Sequence, residues 1–279
     1  MNPKIVIADS GSTKTDWSLL FADGTRCEVA TQGMNPFHLT DDALRGVLQN
    51  ELRPHVSGTP SSIAFYGSGC TPEQAGRMAA LIGDVYPDTE VEVQTDLLGA
   101  ARALCGRQPG VACILGTGSN SCLYDGHDIV KNTPALGYIL DDEGGGAALG
   151  RDFVADLFKG LLPSSLAEAF VKETGQDQAQ IIERVYRQPL ANRYLASFTR
   201  FIGGHCDEPE VHEFLVTRFR RFFVRNVRAY GRPDLPVHFV GSIAAVFCSE
   251  LSEAAALEGF TVGTVSRSPM EGLIKYHAV

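Results

Sequence analysis

The hydrophobic positions fall into short runs separated by turns rich in glycine and hydroxyl residues, and one run-turn-run pattern occurs twice. Residues 4–8 are apolar and β-branched, which predicts a buried strand. The polar turn Asp9-Ser10-Gly11-Ser12-Thr13-Lys14-Thr15 follows, a second strand resumes over 16–21, and Asp23-Gly24 is a hairpin turn. Thr40 caps a predicted helix to Leu52, with Ala43, Leu44, Val47 and Leu48 on one face. A strand is predicted over 62–66. Thr71-Pro72-Glu73-Gln74 then carries an N-cap, a first-turn proline and a capping-box glutamine. A short strand over 91–93 leads into a helix over 96–105.

From Val111 the pattern restarts. The run 111–115 leads into Gly116-Thr117-Gly118-Ser119-Asn120, then a strand over 121–124 and the hairpin turn Asp125-Gly126. Gly11-Ser12 and Gly118-Ser119 lie 107 positions apart, which points to two related halves, with chance recurrence of common turn pairs as the alternative. A third glycine turn, Asp141-Asp142-Glu143-Gly144-Gly145-Gly146, precedes a largely helical stretch to about residue 230. A strand over 237–240, ending in Gly241-Ser242, is followed by a helix near 246–258, a last strand over 261–265 and a terminal helix from Ser268-Pro269-Met270-Glu271. The loop 106–110 is the best boundary, giving domains 1–106 and 107–279.

Composition narrows the function. With 279 residues, 44% hydrophobic, the chain can bury a sizeable core. The net charge of −9 disfavours nucleic acid as a partner. No apolar run approaches the length of a membrane span, and the N-terminus lacks a signal-like stretch, so a cytoplasmic location is expected. The seven cysteines form no C-x-x-C pair and read as reduced, mostly buried thiols without a metal.

Glycine lets backbone amides converge on an anion, and Ser and Thr hydroxyls add donors. Two such turns from two halves can grip a triphosphate. Asp9, heading the first, can hold Mg²⁺ directly or through water. Each turn leads into a strand, unlike a P-loop or a dinucleotide fingerprint, which open helices.

These segments resemble the sugar kinase, Hsp70 and actin superfamily. Residues 8–15 look like its first phosphate loop, 115–120 like its second, and Phe239-Val240-Gly241-Ser242-Ile243-Ala244 like its adenosine-contacting segment. Gly33-Met34-Asn35-Pro36, Asp96 opening a helix, Gly118-Ser119-Asn120, and Gly137 through Gly144 resemble the N-acetylglucosamine kinase group within the BadF/BadG-type ATPases. The resemblance implies an α/β, two-domain actin-like (ribonuclease H-like) fold with a central cleft that closes on ligands, and a terminal helix that packs on the first domain. It implies an ATP- and Mg²⁺-dependent kinase acting on the 6-hydroxyl of an amino sugar, most of all N-acetylglucosamine. Asp96 is then the general base. Gly11, Ser12, Thr13, Lys14, Thr117, Gly118, Gly241 and Ser242 bind ATP, and Asn35, Asp96, Ser119, Asn120, Gly137 and Asp142 bind the sugar.

Each residue also has a plainer role. An acid in a first helical turn suits the helix dipole, which would explain Asp96 without chemistry. Asp142 and Asn35 are ordinary turn residues on that view, and Lys14 a solvated lysine. Glucosamine or N-acetylmuramic acid as substrate, an ATPase activator carrying an iron–sulfur cluster at a dimer interface, and a sugar sensor without turnover stay open. So does the choice between monomer and homodimer.

Overall fold

The structure is a computed structural model that describes residues 2–11 and 13–278. It separates into two compact units. One comprises residues up to Arg107 and those from Pro269 onward; the other comprises Gln108–Ser268.

The first unit is built on β1 (Pro3–Ser10), β2 (Lys14–Phe21), β3 (Arg26–Gln32), β4 (Ser62–Gly67) and β5 (Glu90–Thr95), in the order β3-β2-β1-β4-β5. β1, β2 and β3 form an antiparallel meander, and β4 and β5 run parallel to β1. The run in β1 is apolar throughout because both faces are covered. Val6 and Ala8 join Trp17, Phe65, Leu48 and Met78 in one core, whereas Ile7 joins Ala64, Tyr66, Met270 and Leu273 in another. β3, beyond the Asp-Gly turn, was given no bounds by pattern. It is an edge strand on which only Val29 and Thr31 are buried, so its apolar alternation is weak.

The terminal helix Met270–His277 belongs to this unit and packs on the helix Asp96–Cys105. A side chain at Gly272 would come within 2.2 Å of the Ala103 carbonyl oxygen, so only glycine permits this approach. A polar network locks the contact. Arg102 donates to Glu92 (2.7 Å) and to the Tyr66 hydroxyl (2.8 Å), which lies 2.8 Å from His277 Nε2. Burial lowers the His277 pKa, so a neutral ring is favoured and can accept a hydrogen bond from the Tyr66 hydroxyl.

The second unit repeats the sheet. β6 (Gly110–Leu115), β7 (Ser119–Tyr124), β8 (Ile129–Thr133), β9 (Val237–Val240) and β10 (Val262–Ser266) stand in the order β10-β9-β6-β7-β8. Again the first three are an antiparallel meander, and the last two run parallel to its first strand. The recurring turns therefore mark a recurring topology. Between β8 and β9 the chain inserts a helical layer whose core is aromatic, with the Phe153 ring against Phe170, Phe201 and Phe214 and the Phe170 ring against Phe201. Among the described residues no helix is long and apolar enough to cross a membrane, and all seven cysteines are free.

Candidate active site

In the first unit, Ser10, Gly67 and Thr95 stand in one row across the ends of the three parallel strands. This carboxyl-terminal edge is where α/β sheets place ligands. The turn after β1 closes through Gly11 N–H donating to Lys14 O at 3.0 Å. It is fixed from outside by Gly33 N–H to Thr13 O (3.0 Å), Ser68 N–H to Ser10 O (2.8 Å) and Met34 N–H to Ser10 Oγ (3.1 Å). Ser10 Oγ also pairs with Thr15 Oγ1 at 2.7 Å. A side chain on Gly11 would make only ordinary contact with Lys14 O, so the fold does not demand glycine there. Thr13 and Lys14 are exposed, with Lys14 Nζ 2.6 Å from Asp16. Ser12 lies outside the described residues.

Four acidic groups crowd this edge: Asp9, Asp16, Asp96 and Cys70. The Asp9 carboxyl is pushed up to about 7, first by burial, then by the neighbouring carboxylates of Asp96 and Asp16. Asp96 is raised by burial, against the Leu97 N–H and its own N–H. Cys70 is pushed up to about 12 by burial and by Asp96. The cap of the helix Asp96–Cys105 is Thr95, whose hydroxyl accepts from Leu98 N–H at 3.1 Å. Capping thus does not need Asp96. Asn35 is buried, its Oδ1 accepting from Phe37 N–H at 2.9 Å. A side chain at Gly69 (φ +81°) would come within 2.4 Å of that oxygen, so glycine lets the 67–70 turn close on Asn35.

Hard oxygen donors suit Mg²⁺, and Asp9 with Asp16 and Asp96 nearby supplies them. Among the described residues no three His, Cys, Asp or Glu side chains form a ready cage. That fits an ion held by one or two carboxylates and by substrate phosphates rather than by protein alone.

In the second unit the glycine turn is shorter, closing from Gly116 N–H to Gly118 O at 3.0 Å. The acidic glycine turn docks onto it backbone to backbone. Gly146 N–H donates to Gly116 O (2.8 Å), Ala147 N–H to Thr117 O (2.9 Å) and Ser119 N–H to Asp142 Oδ1 (3.3 Å). Side chains would put Gly145 within 2.7 Å of the Gly118 backbone, and Gly118 within 2.7 Å of Asp142 Oδ2. Asp142 is buried in a left-handed conformation (φ +61°), which stores strain at a non-glycine residue. Its pKa is raised, mainly by burial. Next to it, buried Glu143 is paired with Arg225 (3.0 Å) and Arg221 (3.3 Å). Nothing in the pattern of the sequence signalled this bracing.

Asn120 is held within the sheet, its Oδ1 accepting from Ser121 N–H (2.9 Å) and Asn132 Nδ2 (3.0 Å). Ser119 is buried beside Asp142, Thr117 is exposed, and Gly137 (φ +77°) opens the short exposed helix Gly137–Leu140. Gly241 (φ +128°) ends β9 so close to Leu115 O that a side chain would stand 2.1 Å away, and its N–H donates to Ser266 O. The structure thus gathers Asp9, Gly11, Thr13, Asn35 and Asp96 around one sheet edge. Separately, it gathers Thr117, Gly118, Ser119 and Asp142 around the second turn, while Gly137 is tied to Asp141, whose N–H donates to its carbonyl.

No family model matches the sequence, and no curated protein does. The structure of a candidate N-acetylglucosamine kinase from Porphyromonas gingivalis is 47% identical over 98% of both chains, with a TM-score of 0.91. A candidate N-acetylglucosamine kinase from Chromobacterium violaceum is 19% identical over 99% of both, with a TM-score of 0.74. A ROK hexokinase from Thermus thermophilus is 14% identical over 98% of this chain and 96% of that one, with a TM-score of 0.54. The last two likenesses are of fold alone.

Proposed function

Because the chain belongs to the N-acetylglucosamine kinase-like family and has its actin-like ATPase fold, we propose that it transfers the γ-phosphoryl group of ATP to the 6-hydroxyl of an amino sugar, N-acetylglucosamine first among them. The observation that carries this reading is the state of Asp96. Its helix is already capped by Thr95, and its buried carboxyl, raised by burial, stands at the sheet edge held only by first-turn N–H groups, its own and that of Leu97. A base with a raised pKa takes a proton more readily than an ordinary carboxylate. On this reading the sugar oxygen bonds to the γ-phosphorus, its proton passes to Asp96, and ADP leaves.

Phosphoryl transfer depends mainly on placing the groups and offsetting charge. The amides and hydroxyls of the turns at Gly11, Thr13, Lys14, Thr117 and Gly118 would hold the phosphates, with the nucleoside at Gly241 and Ser242. Asp9 would hold Mg²⁺, directly or through water, and the ion would offset phosphate charge. Asn35, Ser119, Asn120, Gly137 and Asp142 would line the sugar. Since Asp142 Oδ1 is engaged with Ser119 N–H, Asp142 would meet a sugar hydroxyl through its other oxygen. A cytoplasmic location belongs to the same reading.

The test is ADP release, by coupled assay, against N-acetylglucosamine, glucosamine and N-acetylmuramic acid. Release that depends on N-acetylglucosamine supports the reading. Binding of these sugars without any ADP release would leave a sensor in its place.

A further inference from the structure

Beside Ser242 the second unit holds a cavity of about 480 Å³, within the roughly 300–1,000 Å³ range of small-molecule sites. Ile243, Val246 and Phe247 give it an apolar wall, and Arg200 and Arg267 give it two cations. Both arginines are exposed, and among the described residues neither has an ion pair. In a chain of net charge −9, two free guanidiniums on one cavity are set for an electron-rich ligand.

Position adds a second argument. Each unit's fifth strand ends in a hydroxyl residue, Thr95 or Ser266, and is followed at once by a charged one, Asp96 or Arg267. Arg267 therefore occupies in the second unit the place that the candidate base holds in the first.

The lining carries no carboxylate and no side-chain amide. A guanidinium face stacks on any purine. Its edge, however, matches the paired O6 and N7 acceptors of guanine better than adenine, whose N6 is a donor. The side chains thus offer donors and two hydroxyls, and nothing that would single out an amino group at position 6. We propose that this cavity takes the base of the phosphoryl donor and admits 6-oxopurines as well as adenine, so that GTP and ITP serve beside ATP. The proposal rests on the nucleoside placement given above. The chemistry is unchanged: the bond from the γ-phosphorus to the β,γ-bridging oxygen breaks, the bond to the sugar oxygen forms, and GDP or IDP leaves.

The experiment is direct binding of non-hydrolysable ATP and GTP analogues with Mg²⁺, by calorimetry, to the wild type and to Arg200→Ala, Arg267→Ala and Val246→Trp. The two affinities should agree within about tenfold, and at least one arginine variant should weaken the GTP analogue more than the ATP analogue. ATP-analogue binding with the GTP analogue weaker by about a hundredfold or more, or arginine variants that bind both as the wild type does, overturns the proposal. Val246→Trp fills the cavity and should abolish both. If it binds both normally while folded, the nucleoside lies elsewhere and the placement itself fails.

Discussion

One ladder step back from the first glycine turn the facing pair is Asp9–Asp16; the pair in the same place in the second unit is Ile114–Asn120. The strands, their order and their pairing repeat, but the charge does not. The first unit concentrates carboxylates at its edge and tolerates the desolvation, with Asp9 and Asp96 both raised. The second has no acid in the strands flanking its turn; its acids arrive on the 141–146 segment, which lies across the turn through backbone hydrogen bonds and close glycine contacts. A duplicated scaffold repeats positions; which chemistry sits at each position is set by a few side chains. One copy carries an acidic edge, and the other a built cradle.

If that division is right, Asp96→Asn should have the largest effect. General-base assistance is worth about 10²–10⁴-fold, so turnover should fall at least a hundredfold with thermal stability nearly unchanged, because Thr95 remains the cap. More than about a tenth of wild-type turnover in a folded variant would place the base elsewhere. Gly145→Ala tests the cradle. Its methyl must displace the Gly118 backbone, at about 1–3 kcal/mol for overpacking, and nucleotide affinity should fall with stability, whereas Gly116→Ala meets open space and should leave stability alone. Denaturant melts of the two variants decide this; equal stabilities would mean that the bracing does not matter.

Gly11→Val probes the open turn of the first unit. It should fold normally, since a side chain there meets only ordinary contact, yet lose about tenfold or more in nucleotide affinity. Unchanged affinity would remove this turn from the phosphate site. The last test is of pH. The folded Asp9 pKa is raised to about 7 from 3.8, so the native state binds the extra proton between them. Its contribution to stability is complete below about 4 and is lost as pH rises through about 7, by at most about 1.4 kcal/mol per pH unit. In metal-free protein, Asp9→Asn should flatten the fall in stability over that window. Melts with the wild-type slope would mean that Asp9 stays ionised.

The pattern of the sequence was enough for the fold class because each level agreed: strand periodicity, Asp-Gly turns and glycine placement recur in step. It failed at the edge strands β3 and β8, where solvent covers much of the surface and apolar alternation fades. In the candidate site, turn residues are readable because glycine and hydroxyls carry their own local signal. The docking of Gly146 on Gly116 is made by backbone groups thirty positions apart, and backbone hydrogen bonding leaves no mark on residue identity. The capping role of Thr95 was overlooked beside Asp96, although a hydroxyl residue directly ahead of a helical acid is itself the usual N-cap signal. Arg200 and Arg267 are isolated arginines in sequence, and only folding puts them on one cavity.

The return of the terminal helix to the first unit has a consequence for synthesis. The chain leaves that unit after Arg107, completes the whole of the second, and supplies the missing layer only from Pro269 onward. On a ribosome, Met270 and Leu273 emerge only after the whole of the second unit, so until then Ile7, Ala64 and Tyr66 have one face of their sheet uncovered. The inserted unit is continuous and can mature first, whereas the unit bearing Asp96 must wait in an aggregation-prone state. Loss of the Met270–His277 helix would therefore strike the candidate base's helix, on which it packs, although Asp96 itself lies far upstream in the message.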